Sequence, residues 1–145
     1  MIRIEDSIAY MVYRTQRLLR VQFIQLMNRN GIELFPEQWF VINKLIQRDG
    51  QSQVELSESL FKDKPNMTRI LQGLEKKDLI SRQKDLDDSR IIRVYLTANA
   101  RKLHKKIEPI VFKERGRVFK NLSEEDIARF KKVIHQLEHN MLLEE

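Results

Sequence analysis

The spacing of apolar residues changes character twice along this 145-residue chain. Steps of three and four give way to alternation near residue 79 and return near residue 97. That order admits a set of helices interrupted by a single hairpin. Ile4, Ile8, Met11, Thr15, Leu18, Leu19, Phe23, Leu26 and Met27 mark a long amphipathic helix over 4–28, with Gly31 suited to a left-handed cap. Pro36 opens a second helix, where its missing N–H costs nothing, and Trp39, Ile42, Leu45 and Ile46 form its stripe. Ser52 and Glu55 make a capping box for a short third helix bearing Val54, Leu56 and Leu60. A fourth begins near Pro65, with Met67, Ile70, Leu71 and Leu74 inward. Gly73 sits inside it at a cost of about 1 kcal/mol relative to Ala, for which close packing is the available reason.

Residues 79–84 and 92–96 read as two strands around a polar tip, Asp85-Leu86-Asp87-Asp88-Ser89-Arg90. Thr97 caps a fifth helix with Leu103, Ile107, Ile110, Val111, Val118 and Phe119 apolar and Pro109 as a kink. Ser123 and Asp126 open a sixth, flanked by a Leu122–Ile127 hydrophobic staple, with Ile127, Phe130, Val133, Ile134, Leu137 and Met141 expected inward. The fold class is therefore mainly α with a small β-hairpin.

Composition removes several kinds of chemistry. With Cys 0 there is no disulfide, thiolate zinc site, cysteine nucleophile or thiol redox sensor. Arg3, Glu5 and Asp6 break any signal-peptide core, and no stretch reaches the ~18 apolar residues of a membrane span. The expected location is cytoplasmic, with no membrane partner, and Asn66-Met67-Thr68 is not read as a glycosylation acceptor. A formal charge of +6 and a pI near 9.7 point toward a polyanionic partner.

A short helix, a tight turn, a second helix and then a polar-tipped hairpin make a winged helix-turn-helix pattern, and its partner is double-stranded DNA. With Met67, Ile70 and Leu71 inward, Asn66, Thr68, Arg69, Gln72 and Lys76 face outward. Asn and Gln can pair with adenine, Arg with guanine, and Thr with a phosphate or a thymine methyl. The candidate DNA contacts are Lys64, Pro65, Asn66, Thr68, Arg69, Gln72 and Lys76 on the helix, and Arg82, Lys84, Asp87, Ser89 and Arg90 in the wing. Residues 62–93 carry nine basic and six acidic side chains, about half of the net charge. Arg90 at the tip can enter a minor groove. Three tip aspartates oppose phosphate, unless Asp85 or Asp87 orients Arg90 or Arg93, or unless they serve only as turn formers.

These residues resemble the multiple-antibiotic-resistance regulator (MarR) family of bacterial transcription factors. The resemblance is carried by Asp63 to Arg69, Leu74 to Ile80, Asp85-x-Asp87-Asp88-x-Arg90 and Val94-Tyr95-Leu96-Thr97, and spans nearly the whole chain. It implies a cytoplasmic, nucleoid-associated homodimer acting on a palindromic operator, here as a repressor. Residues 1–31 and 97–145 would supply dimerisation helices around a DNA-binding module at 32–96. Asn66, Thr68 and Arg69 would contact DNA, and Arg90 would be the wing arginine, braced by Asp85 or Asp87. Pro65, where the family often has a small polar residue, and Thr97-Ala98-Asn99-Ala100, without the usual glycine, depart from the pattern. The apolar terminal helices support dimerisation independently.

Many relatives bind small aromatic acids or phenols, and Tyr10, Tyr13, Arg14, Arg17 and Trp39 could line such an effector site beside Phe23. Core packing of Trp39 and Phe23, with solvated arginines, is the preferred reading of the same residues. No cofactor is expected. His135-Gln136-Leu137-Glu138-His139 matches the inverted zinc-protease motif, with His104 or Glu144 as conceivable third ligands, but reads as a charged helix flank. The chain is expected not to be an enzyme. The competing class is a protein-interaction or anionic-surface module, suggested by the basic residues of 101–120.

Overall fold

The computed structural model describes residues 1 and 3–143. After a 3-10 turn at Ile4–Asp6, the elements are α1 (Ile8–Arg29), α2 (Pro36–Gln47), β1 (Gln51–Ser52), α3 (Gln53–Ser59), α4 (Lys64–Lys76), β2 (Ile80–Lys84), β3 (Ile92–Leu96), α5 (Ala98–Val118) and α6 (Glu124–Leu142). The expected hairpin is therefore part of a three-stranded antiparallel sheet of order β1-β3-β2. Ile80 faces Leu96, Arg82 faces Val94 and Lys84 faces Ile92, while Gln51 pairs with Val94 on the other edge.

Two compact units divide the chain, Met1–His104 and the residues from Lys105 onward. The core of the first is built on Met27, Ile42, Leu45, Leu56, Met67, Leu71, Leu74 and Val94. Local rules place these elements. Gly31 takes φ +68 after α1. Ser52 Oγ accepts from Glu55 N at 3.1 Å while Glu55 Oε2 accepts from Ser52 N at 2.8 Å, the expected capping box. Thr97 Oγ1 caps α5 through Ala100 N at 3.1 Å. Gly50, at φ +72, lies where a Cβ would come 2.9 Å from the Tyr95 ring. Asp49 accepts from Leu96 N and from Arg101, each at 2.9 Å, tying the end of α2 to β3 and the start of α5.

In the second unit Ser123 and Asp126 form the expected box, with bonds of 2.9 and 3.0 Å. The inward stripe expected for α6 is corrected. No residue of α6 is buried, and Phe130, Val133, Leu137 and Met141 are exposed. The same holds for Met11, Leu18 and Leu19 on α1, and Ile46 on α2 is exposed while Val41 is buried. Periodicity finds the apolar face of a helix, but the chain itself covers these faces only in part. α5 continues as helix through Pro109.

Candidate nucleic-acid interface

The end of α3, a four-residue turn and α4 set up the helix-turn-helix. Asp63 is the N-cap of α4, and its Oδ1 accepts from Asn66 N at 2.9 Å. A short acidic side chain at that position satisfies a free helical N–H and suits the positive end of the helix dipole. Met67, Leu71 and Leu74 are fully buried, which turns Lys64, Pro65, Asn66, Arg69, Gln72 and Lys76 to solvent. Thr68, expected outward with them, is half-buried.

On the exposed face, side chains of α4 are linked. Asn66 Nδ2 donates to Asp63 Oδ2 at 2.9 Å, and Arg69 Nη2 donates to Asn66 Oδ1 at 3.0 Å.

The wing resolves its own acidity. Asp85 Oδ2 accepts from the N–H groups of Asp87 and Asp88 at 3.1 and 3.0 Å, and its Oδ1 accepts from Arg93 Nε at 2.5 Å. The Arg93 guanidinium first, then those backbone donors, hold the Asp85 carboxyl below its ordinary range. Arg93 also donates to Gly50 O at 3.0 Å, tying the wing to the start of β1. Asp88 accepts from Arg90 Nε and Nη2, each at 3.0 Å, and is likewise held low, mainly by that guanidinium. The brace of the wing arginine is therefore Asp88, in place of the expected Asp85 or Asp87. The turn bends Asp85 back toward β3, where it meets Arg93. Two of the three tip carboxylates thus carry a bound guanidinium. Asp87, Ser89 and Lys84 are exposed, and the Arg90 side chain is 88% exposed.

Arg82 is turned elsewhere. Its Nε and Nη2 each meet a Glu75 oxygen at 3.1 Å, a bidentate link between β2 and α4 that leaves it half-buried. Between α3, the start of α4 and the wing lies an open cleft of about 450 Å³ lined by Glu55, Lys64, Arg90 and Arg93 among others. Lys64 and Arg90 bring exposed positive groups from α4 and the wing to this one cleft. The structural roles of Asp63 and Arg93 carry only a faint sequence signal, an Asp before Lys-Pro and a basic residue inside an apolar strand.

The other candidates are on other elements. Trp39 is in the core, its ring stacked on His104 at 5.1 Å, and Asn43 bonds the His104 ring at 3.2 Å. Tyr13, Arg14 and Arg17 are exposed on α1, and Tyr10 is half-buried. His135 and His139 lie exposed on α6. Among the described residues no group of three or more His, Cys, Asp or Glu is placed to hold a metal ion. Glu144 lies outside the described residues.

The sequence profile of the MarR family matches residues 34–92, from the end of the α1–α2 loop to the first residue of β3. Residues 34–92 form a MarR-family domain. The likeness in fold extends further. PcaV, a transcriptional regulator of Streptomyces coelicolor solved with its natural ligand, superposes with a TM-score of 0.85 at 16% identity over 96% of each chain. BpsR of Bordetella bronchiseptica, whose DNA binding is regulated by 6-hydroxynicotinic acid, gives 0.85 at 17% identity, covering 95% of this chain and 97% of BpsR. The repressor CouR, solved on a 23-mer DNA duplex, gives 0.84 at 20% identity over 95% and 99%. This chain thus has the fold of a MarR-family transcriptional regulator. MarR-family proteins are regulators and not enzymes, and no described helix is long and apolar enough to cross a membrane.

Proposed function

We propose that this chain is a cytoplasmic, sequence-specific DNA-binding repressor that acts as a homodimer on a palindromic operator. The observation that carries the reading is the adjacency, within a MarR-family domain, of an exposed polar face on α4 and an arginine-tipped wing in which two of three carboxylates each hold a guanidinium. α4 would enter the major groove and read bases through Arg69 and its neighbours, while Arg90 would work in the adjacent minor groove. Lys64, Gln72, Lys76 and Lys84 supply positioning contacts to phosphate, whose strength falls with salt. The exposed apolar faces of α1 and α6 are the surfaces a second copy would cover.

The effector class to screen is small aromatic acids and phenols, since PcaV was solved with a natural ligand and BpsR responds to 6-hydroxynicotinic acid. Such a compound would act by favouring a conformation that binds DNA less well.

Selection of bound sequences from random duplex DNA at physiological salt tests the reading. A palindrome with half-sites about ten base pairs apart is expected. Patternless binding that vanishes with salt would reject it.

A further inference from the structure

On that proposed reading of α4, we infer that Asn66 is a positioning residue for Arg69, and that the base discrimination of α4 is delivered by the Arg69 guanidinium, with guanine as its target. Asn66 reads adenine only by presenting its amide oxygen and an N–H together to one base edge. Each end of that amide already holds one partner within the helix start. Nδ2 donates to Asp63 Oδ2 at 2.9 Å and Oδ1 accepts from Arg69 at 3.0 Å. Nδ2 keeps a second N–H and Oδ1 a second lone pair, but swinging the amide outward to present both to one base edge would pull it from the bonds that hold it to Asp63 and Arg69.

Arg69 is in the opposite position. Only one of its five donors is used by Asn66. The remaining donors still form a fork that matches O6 and N7 of guanine. The relay starts from a fixed point, because Asp63 is the N-cap and holds the backbone N–H of Asn66 as well as its amide. An arginine on a bare helix surface has to give up much rotamer freedom to meet a base edge. One already tethered through Asn66 to the cap gives up less. Closing water out on complex formation would strengthen the chain of bonds from Asp63 to Arg69.

The test measures discrimination of the full-length protein across duplexes carrying single base-pair changes, for wild type, Arg69→Ala, Asn66→Ala, the double variant and Asp63→Ser. Circular dichroism checks that each folds. Asp63→Ser retains a cap for α4 but removes the second oxygen from the Asn66 amide. Arg69→Ala should abolish preference at one G·C pair per half-site. Asn66→Ala and Asp63→Ser should weaken preference at that same pair roughly three- to tenfold, the effect of one lost hydrogen bond. Adding Asn66→Ala to Arg69→Ala should change nothing further. Lost preference at a different base pair would make Asn66 a direct reader and overturn the inference, as would unchanged preference. NMR of the Arg69 guanidinium in the free protein decides the relay without DNA. Rotation slowed in wild type and released in Asn66→Ala supports it, and free rotation in wild type overturns it. Wild type without any base preference would sink the DNA-reading proposal alone, and the guanidinium rotation would still judge the relay.

Discussion

Asp88 and Arg90 stand two residues apart at the wing tip and are joined in register, Nε to Oδ1 and Nη2 to Oδ2, each at 3.0 Å. The pair fixes the direction of a guanidinium that is otherwise almost wholly in solvent. On the proposed reading its cation serves the DNA contact, while the carboxylate is masked by the same pairing. Arg90→Ala is therefore expected to weaken operator binding roughly tenfold or more and to lower the slope of log affinity against log salt by about two, one for each wing of the dimer. The fold should be unchanged, because nothing in the core leans on the side chain. Affinity equal to wild type in a binding titration would remove Arg90 from the interface.

The wing should also carry an acid signature. Asp85 and Asp88 are both held below the ordinary aspartate range, chiefly by Arg93 and Arg90. A carboxyl depressed in the folded state stabilises it above the unfolded value of about 3.9, and that contribution is lost as pH falls through the lower folded value. The wing should thus be indifferent to pH across the neutral range and loosen only below about pH 4. Amide exchange at Asp87 and Asp88, whose N–H groups bond Asp85, would report it. Loosening already at about pH 5 or above would contradict the assignment.

Local grammar explains which parts of the fold were legible. Ser52 with Glu55, Ser123 with Asp126, and Gly31 announce helix ends because a cap involves residues only three or four apart. The alternation of Ile92, Val94 and Leu96 announces β3 for a similar reason. β1 has two residues, too few for a period, and exists only because β3 offers it an edge. The sequence names Asp85 or Asp87 as the brace of Arg90, but three carboxylates lie within five positions of it and spacing does not choose among them; the bend at Asp85 leaves the role to Asp88. Arg82 reads as a free basic residue in sequence because its partner Glu75 lies on another element. For α1 and α6 the apolar stripe was visible, but its covering surface was not in the pattern.

Gly73 has a reason that sequence alone could only suggest. A Cβ there would lie 2.8 Å from Gln38 Nε2. Gln38 cannot easily withdraw. It is buried, and its Oε1 accepts from Phe35 N at 3.1 Å and from Lys77 Nζ at 3.2 Å. Gly73→Ala gains about 1 kcal/mol of helix propensity but displaces a buried amide, a disturbance costing about 1–3 kcal/mol. The variant should unfold more easily than wild type by about 1 kcal/mol. In a Gln38→Ala background the same change should become stabilising, a coupling that thermal denaturation of the four proteins would measure. Additive effects would mean that Gln38 gives way without cost.

The exposed stripe of α6 makes the dimer proposal the easiest to break. Phe130, Val133 and Leu137 follow one another at helical spacing, 59%, 55% and 40% exposed. They lie outside the core of their own chain, so charging them leaves the protomer its internal packing. If a second copy covers this face, two-fold symmetry counts every substitution twice. Each apolar side chain of this size contributes about 1.5–3 kcal/mol when fully buried. Val133→Glu with Leu137→Glu should therefore raise the dimer dissociation constant by at least about 100-fold. Sedimentation would show a helical monomer at micromolar protein. Operator affinity should fall with it, because a monomer engages one half-site and forfeits the second. A dimer as tight as wild type would place the interface on other surfaces and leave the α6 stripe to some other partner.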